Sequence, residues 1–269
     1  MKSVKPVRWV LLAISTLGLL IASSARWVLA QSVQALQTPL RSAPRPVQSA
    51  DWDSIGVSLR EAFRIAVNEW ISRARIQGGA VSGSTALLTP GSLVSDVNIL
   101  GRMVQILAGW GVSNGAASAG STVLSGAWNA WAANFQMRIP GAYPSFAAVP
   151  GPAAPLTQAS VSPPLSAGNS VGEAALQSAQ LAARLSEALR AEAANAAPGP
   201  PDPAMLRLAT WVQASFEQWK STVTLVGLLG RGGVPTYAPP YVPVGPVLTG
   251  NNSTSASPFV GPRFGIVVP

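Results

Sequence analysis

The sequence predicts a mostly α-helical protein: an N-terminal signal or anchor helix, a three-helix part and a helical hairpin separated by a Pro-rich linker, and an extended Pro-rich C-terminal arm. Three observations predict it. Apolar residues recur at three- and four-residue spacing in five segments. Helix-starting residues such as Asp53, Ser92, Ser170 and Asp202 precede several of them. Prolines, 24 in all, crowd the stretches between and after these segments rather than their interiors.

Residues 1–30 read as a signal peptide or a membrane anchor. Lys2, Lys5 and Arg8 form a basic start, Trp9 to Ala22 an apolar run, and Val28-Leu29-Ala30 offers small residues suited to a signal peptidase. An uncleaved anchor is the alternative, because the uncharged stretch from Trp9 to Ala25 is at the lower length limit for a spanning helix. Either way the remainder is expected outside the cytoplasm: periplasmic, secreted or tethered by the N-terminal segment. Residues 31–50, with Pro39, Pro44 and Pro46, read as a spacer.

The helical region 51–139 opens at Asp51, Asp53 and Ser54. Ile55, Leu59, Phe63, Ala66 and Trp70 mark its first helix, which Gly78-Gly79 should end. Ser92 caps a second expected helix through Leu93, Val97, Leu100, Val104, Leu107 and Trp110, apolar on most sides. The small-residue stretch from Gly111 to Gly120 fits a flexible loop or a close-packing face. Ser121 then opens a third helix in which Leu124, Trp128, Trp131 and Phe135 share one stripe, up to Pro140-Gly141.

Residues 140–169 carry seven prolines and no charge and read as a polyproline-like linker. In 170–230, Ser170 and Glu173 form a capping box ahead of Leu181, Leu185 and Leu189. Asp202-Pro203 starts a second helix carrying Met205, Leu208, Val212, Phe216, Trp219, Val223 and Val226. The short Pro198 to Pro201 connection makes the two an antiparallel hairpin. The tail 231–269 spaces its prolines too closely for a helix or a central strand and is expected as an extended arm on the protein's own helices or on a partner.

Composition narrows the function. Charged residues make up only 10% of the chain and apolar ones 48%, against about 25% charged in ordinary soluble domains. Much of the surface is therefore expected to be covered, by a protein partner or by further copies of the chain. The formal charge of +8 is partly the leader's, and the remaining arginines are scattered with no basic, aromatic-interleaved stripe, so nucleic acid is not the expected partner. There is no Cys and no His, which removes thiolate nucleophiles, imidazole bases and Cys/His zinc sites. No cofactor or metal site is expected.

Paired carboxylates are the one catalytic device left. Asp96, on an otherwise apolar segment, and Glu173 are the only candidates, and an envelope hydrolase using such a pair is a minor alternative; no enzyme activity is expected. Trp128, Trp131 and Phe135 read first as helix core and second as interaction residues, because residues 103–137 carry no charge at all. Trp219, Tyr237 and Tyr241 are further interaction candidates. Asn251 and Asn252 each begin an Asn-x-Ser/Thr sequon. The expected role is a non-catalytic structural or assembly component of a cell-envelope complex, secretion apparatus or phage virion. The alternative is a membrane-active or membrane-peripheral protein using residues 93–137.

Overall fold

The computed structural model describes residues 52–143, 157–192, 199–233, 236–238, 242–244 and 247–265, the side chains of 232–249 excepted. The N-terminal leader and spacer, much of the 140–169 linker and Tyr241 lie outside the described residues. All described residues belong to the compact unit Arg45–Pro269.

Helix α1 (Trp52–Arg73) buries Ile55, Leu59, Ala62, Phe63, Ala66, Val67 and Trp70, one face at helical spacing. It ends five residues before the expected Gly78, because Arg75-Ile76-Gln77 already alternates out and in as strand β1 (Arg75–Gly83). Gly78, with φ near 76°, sits where the register of β1 slips against its partner, a bulge that breaks the two-residue alternation. A two-residue loop, Gly83-Ser84, then turns the chain into β2 (Thr85–Leu88); Ser82 pairs with Thr85, and Gly83 takes the positive φ that such tight hairpins favour.

Leu93 and Val94 form β3 against Ile76 and Arg75 instead of opening a helix. Helix α2 (Ile99–Gly109) starts where Asn98 accepts the Gly101 amide at 3.1 Å. Helix α3 (Gly115–Ala133) starts likewise at Asn114, which accepts from Ala117 at 2.8 Å. The small-residue stretch is thus mainly a helix face: a Cβ on Gly120 would stand 2.5 Å from Leu59 of α1, so glycine sets how closely the two helices approach. Phe135 does not continue the helix. It begins β4 (Phe135–Ile139), whose alternating burial of Phe135, Met137 and Ile139 is that of a half-covered strand.

In the linker, β5 (Thr157–Gln158), a 3₁₀ turn (Leu165–Ala167) and β6 (Asn169–Ser170) are ordered elements. Of the expected capping box, Ser170 accepts the Gly172 amide at 3.1 Å and opens a 3₁₀ helix, Val171–Leu176, before α4 (Ser178–Glu192), while Glu173 turns to Lys220 instead. Helix α5 (Pro203–Thr222) is capped by Asp202, which accepts the Ala204 amide at 2.8 Å. α4 and α5 run antiparallel: Ser178 N–H reaches Gln213 at 2.7 Å near one end, and Asp202 N–H reaches Ser186 at 2.9 Å near the other.

The expectation of a mostly α protein made of two small helical parts and an extended arm is overturned by the sheet. Seven strands follow the antiparallel order β5-β8-β11-β1-β2-β4-β6, and β3 on β1 makes eight. β8 (Leu229–Gly233) and β11 (Val247–Ser253) come from the expected end of α5 and from the tail, yet β11 is an interior strand between β8 and β1. The other tail strands pair locally or with the end of α5: β9 (Thr236–Ala238) with β10 (Val242–Val244), and β7 (Thr224–Leu225) with β12 (Phe259–Val260). Pro243 falls only in the isolated β9-β10 pair, where its missing N–H interrupts no interior ladder. Inward residues of the sheet (Ile76, Val81, Ala86, Leu88, Met137) join the helices' buried residues in one apolar cluster, so the two helical parts share a core.

The end of the tail is tied into that core. Asn68 of α1 both donates to the Phe264 carbonyl and accepts its amide, each at 3.0 Å, and the Phe264 ring is fully buried edge-on to Phe63 and Trp128. Two glycines test this packing in opposite directions. A Cβ on Gly172 would lie 2.0 Å from the Ala130 carbonyl oxygen of α3, whereas one on the exposed helical Gly126 meets nothing within 4 Å. In thermal or denaturant unfolding, Gly172→Ala should destabilise by about 2–3 kcal/mol, and Gly126→Ala should stabilise by about 0.5–1 kcal/mol.

Candidate functional site

Acid–base chemistry requires a carboxylate held near a second titratable group with room for substrate. The described carboxylates are dispersed. Asp96 lies before α2, its side chain 69% exposed, 3.8 Å from Arg73. Glu173, on the 3₁₀ helix, is held by Lys220 of α5 at 2.5 Å, a partly buried ion pair. The two carboxylates expected to be able to cooperate therefore sit on different elements, each beside its own cation. Glu69 binds Arg102 at 2.6 Å, and Glu61 binds Arg64 at 2.9 Å. Among the described residues no group of three or more His, Cys, Asp or Glu could hold a metal ion.

Two concavities among the described residues lie on the helices. A groove of about 550 Å³ between α3 and α4 is lined by Gly126, Ala127, Ala188 and Ala191, with Arg184 and Glu187 at its rim. A second, of about 420 Å³, follows α4 towards Gly199 and Pro201 and shares Glu187. A single carboxylate between these grooves, with an arginine beside it, lacks the second acid that glycoside hydrolysis uses.

The aromatic interaction candidates are placed elsewhere. Trp128, Trp131 and Phe135 are completely buried and Trp219 nearly so. Trp128 and Trp131 stack tilted with centroids 4.9 Å apart, and Trp219 packs at 5.6 Å from Trp128 and 5.7 Å from Trp131. They are the interior where α1, α3 and α5 meet, and their rings are turned away from the surface. Among the described residues the indole N–H groups of Trp128 and Trp131 find no acceptor, a cost accepted inside a ring cluster where packing supplies the compensating contact. Tyr237 lies in β9 opposite Pro243. The uncharged 103–137 segment turns Met103, Leu107, Leu124, Trp128, Trp131 and Met137 inward, and no described helix is long and apolar enough to cross a membrane.

One polar network escaped the sequence reading. Tyr143, after β4, donates to Asn252 Oδ1 of β11 at 2.5 Å, and Asn252 Nδ2 donates to the carbonyls of Ala80 in β1 and Leu87 in β2. Both side chains are 1% exposed. The Tyr143 ring rests on Gly230 of β8, where a Cβ would come within 2.5 Å of it. The network therefore joins four strands from beneath the sheet. Its sequence trace was only the second sequon, whose Asn252 the structure spends on the fold; Asn251, which begins the first sequon, is exposed.

Burial raises the Tyr143 phenol to about 12 by desolvating its anion. The unfolded chain ionises near the ordinary value of about 10, so the fold favours the neutral phenol. That contribution is complete below pH about 10 and is lost as pH rises towards 12. A pH titration followed by tyrosinate absorbance should show a late step that disappears in Tyr143→Phe. The variant, leaving Asn252 Oδ1 buried without its donor, should be less stable by about 1–2 kcal/mol at neutral pH.

Comparison with known proteins yields no matching family model, no matching curated protein and no matching solved structure.

Proposed function

We propose that this chain is a non-catalytic structural or assembly component of an exported assembly: a cell-envelope complex, a secretion apparatus or a phage virion. The observation that carries the reading is its composition, 10% charged and 48% apolar with neither Cys nor His, behind a basic and apolar leader. Too little charge is available for a long free surface, and the commonest catalytic side chains are missing.

The disposition of the remaining groups supports the same reading. The described carboxylates of α1, of the 3₁₀ helix and of the loop before α2 are matched to Arg or Lys of the same or a neighbouring element. The tryptophans are invested in rigidity, and the tail is stitched back into the core at Phe264. Such a body suits a part that is held in place by neighbours through its surface.

The test is the size and location of the native particle. An epitope-tagged chain in the organism that encodes it should fractionate with the envelope or with particles, in a species several times larger than its own 27.6 kDa. Recovery as a solitary cytoplasmic monomer would sink the proposal.

A further inference from the structure

Three arginines far apart in the chain, Arg75, Arg138 and Arg231, come to one face of the sheet. Arg231 of β8 stands opposite Asn251 of β11, Asn251 opposite Ala80 of β1, Ala80 opposite Leu87 of β2, and Leu87 opposite Arg138 of β4. Directly opposed residues share a face, so these five form one line across the sheet. Strands lie about 4.8 Å apart, which sets the ends of the line roughly 19 Å from each other. The line faces solvent: Arg231, Asn251 and Arg138 are exposed, Ala80 and Leu87 half-buried, while Val81, Ala86 and Met137, one residue along their strands, are buried. The bulge at Gly78 restores the phase of β1, keeping the exposed Arg75 and Gln77 on the side of Ala80.

This face is positive and uncompensated. No Asp or Glu occurs in any described strand; the described acids are all on or beside helical segments. Arg60, Arg64, Arg73, Arg102, Arg207 and Lys220 each have a carboxylate there, but no such bond is formed by Arg75, Arg138 or Arg231 among the described residues. Between Arg138 and Arg231 the line carries Asn251, Ala80 and Leu87, with no aromatic side chain. All three cations are arginines, whose planar fork pairs bidentately with carboxylates and which are enriched at protein interfaces where lysine is depleted. A bilayer would call for outward aromatic or long apolar wedges, and a phosphate backbone for denser charge interleaved with aromatics; the line contains neither.

We propose that the open face of the sheet docks an acidic partner protein, whose carboxylates engage Arg138 and Arg231 at the ends of the line and Arg75 beside it. An extended segment crossing the strands covers roughly 19 Å in about six residues, so two acidic side chains at that separation match the arginine pair. The inference rests on the reading of the chain as an assembly component and names the surface and partner chemistry.

The probe is a fluorescent ten-residue polyglutamate peptide, titrated against the full chain at low salt. The expected result is binding that weakens with added salt, falls at least about tenfold in Arg138→Glu/Arg231→Glu, and stays within about twofold in Arg184→Glu, an exposed arginine of α4. Because these side chains are exposed, the variants should unfold at the wild-type temperature, which is measured alongside. Equal binding by all three proteins overturns the proposal. So does Arg138- and Arg231-dependent binding to phosphatidylglycerol vesicles without binding to the peptide, which would assign the face to a membrane. Self-association that the double substitution abolishes, again without peptide binding, would assign it to a second copy and overturn the proposal too. In the native organism, a double variant that still enters the large particle defeats the docking face alone, whereas a solitary wild-type chain defeats the assembly reading alone.

Discussion

The interior of this protein is organised by the need to enclose several large rings in one place. Trp128 of α3 lies edge-on to Phe63, Trp70, Phe216 and Phe264, with centroids 5.4 to 6.2 Å away, and stacks tilted against Trp131 and Trp219. Such geometry suits the ring quadrupoles and adds to the area they remove from water. It also dictates what surrounds it. α1, α3 and α5 must converge, Gly120 must let α1 and α3 approach, and the tail must return to place Phe264 among the rings. A change at the centre is felt in each of those elements, since close-packed interiors relax only in part.

The sheet is built on a different economy. Its central strands are rich in Gly, Ala, Ser and Asn, residues with little intrinsic preference for strands. Their cohesion comes from the ladder itself, from the Tyr143–Asn252 network beneath it and from Thr254, which accepts the Ile76 amide at 2.9 Å. Small side chains leave the outer face flat. That flatness makes the arginine line accessible, and low charge elsewhere makes it distinct.

Charge is accordingly partitioned between the two kinds of structure. The described acids lie on or beside helical segments, which pair many of them with Arg or Lys, as where Glu69 meets Arg102 and Arg73; the charged residues of the described strands are arginines. Surface ion pairs of this kind contribute little stability each, about 0–1 kcal/mol, yet they remove the helices' charge from long-range recognition. The arginines of the sheet, for which no such pair is formed among the described residues, keep their charge available for recognition.

The amino-acid sequence by itself located helices near where five occur, because apolar spacing and caps are properties of residues close in the chain: Asp202-Pro203 caps and opens α5 as expected. It overran their ends, carrying the third through Phe135 up to Pro140 although Phe-Gln-Met-Arg-Ile alternates as a strand should. The remaining strands left a weaker trace, since the Gly78 bulge breaks the alternation of β1, and β8 and β11 are too glycine-rich to resemble strands. Aromatic side chains were visible as a helical stripe, but whether they faced a partner or one another depended on helices not yet arranged. Only the tertiary structure decided that Gln77 pairs with Ser253, that Phe264 closes the core, and that arginines dispersed along the chain stand together. Pairing between strands is a contact between distant residues, set by which surfaces remain after the helices have packed, and no local pattern encodes it.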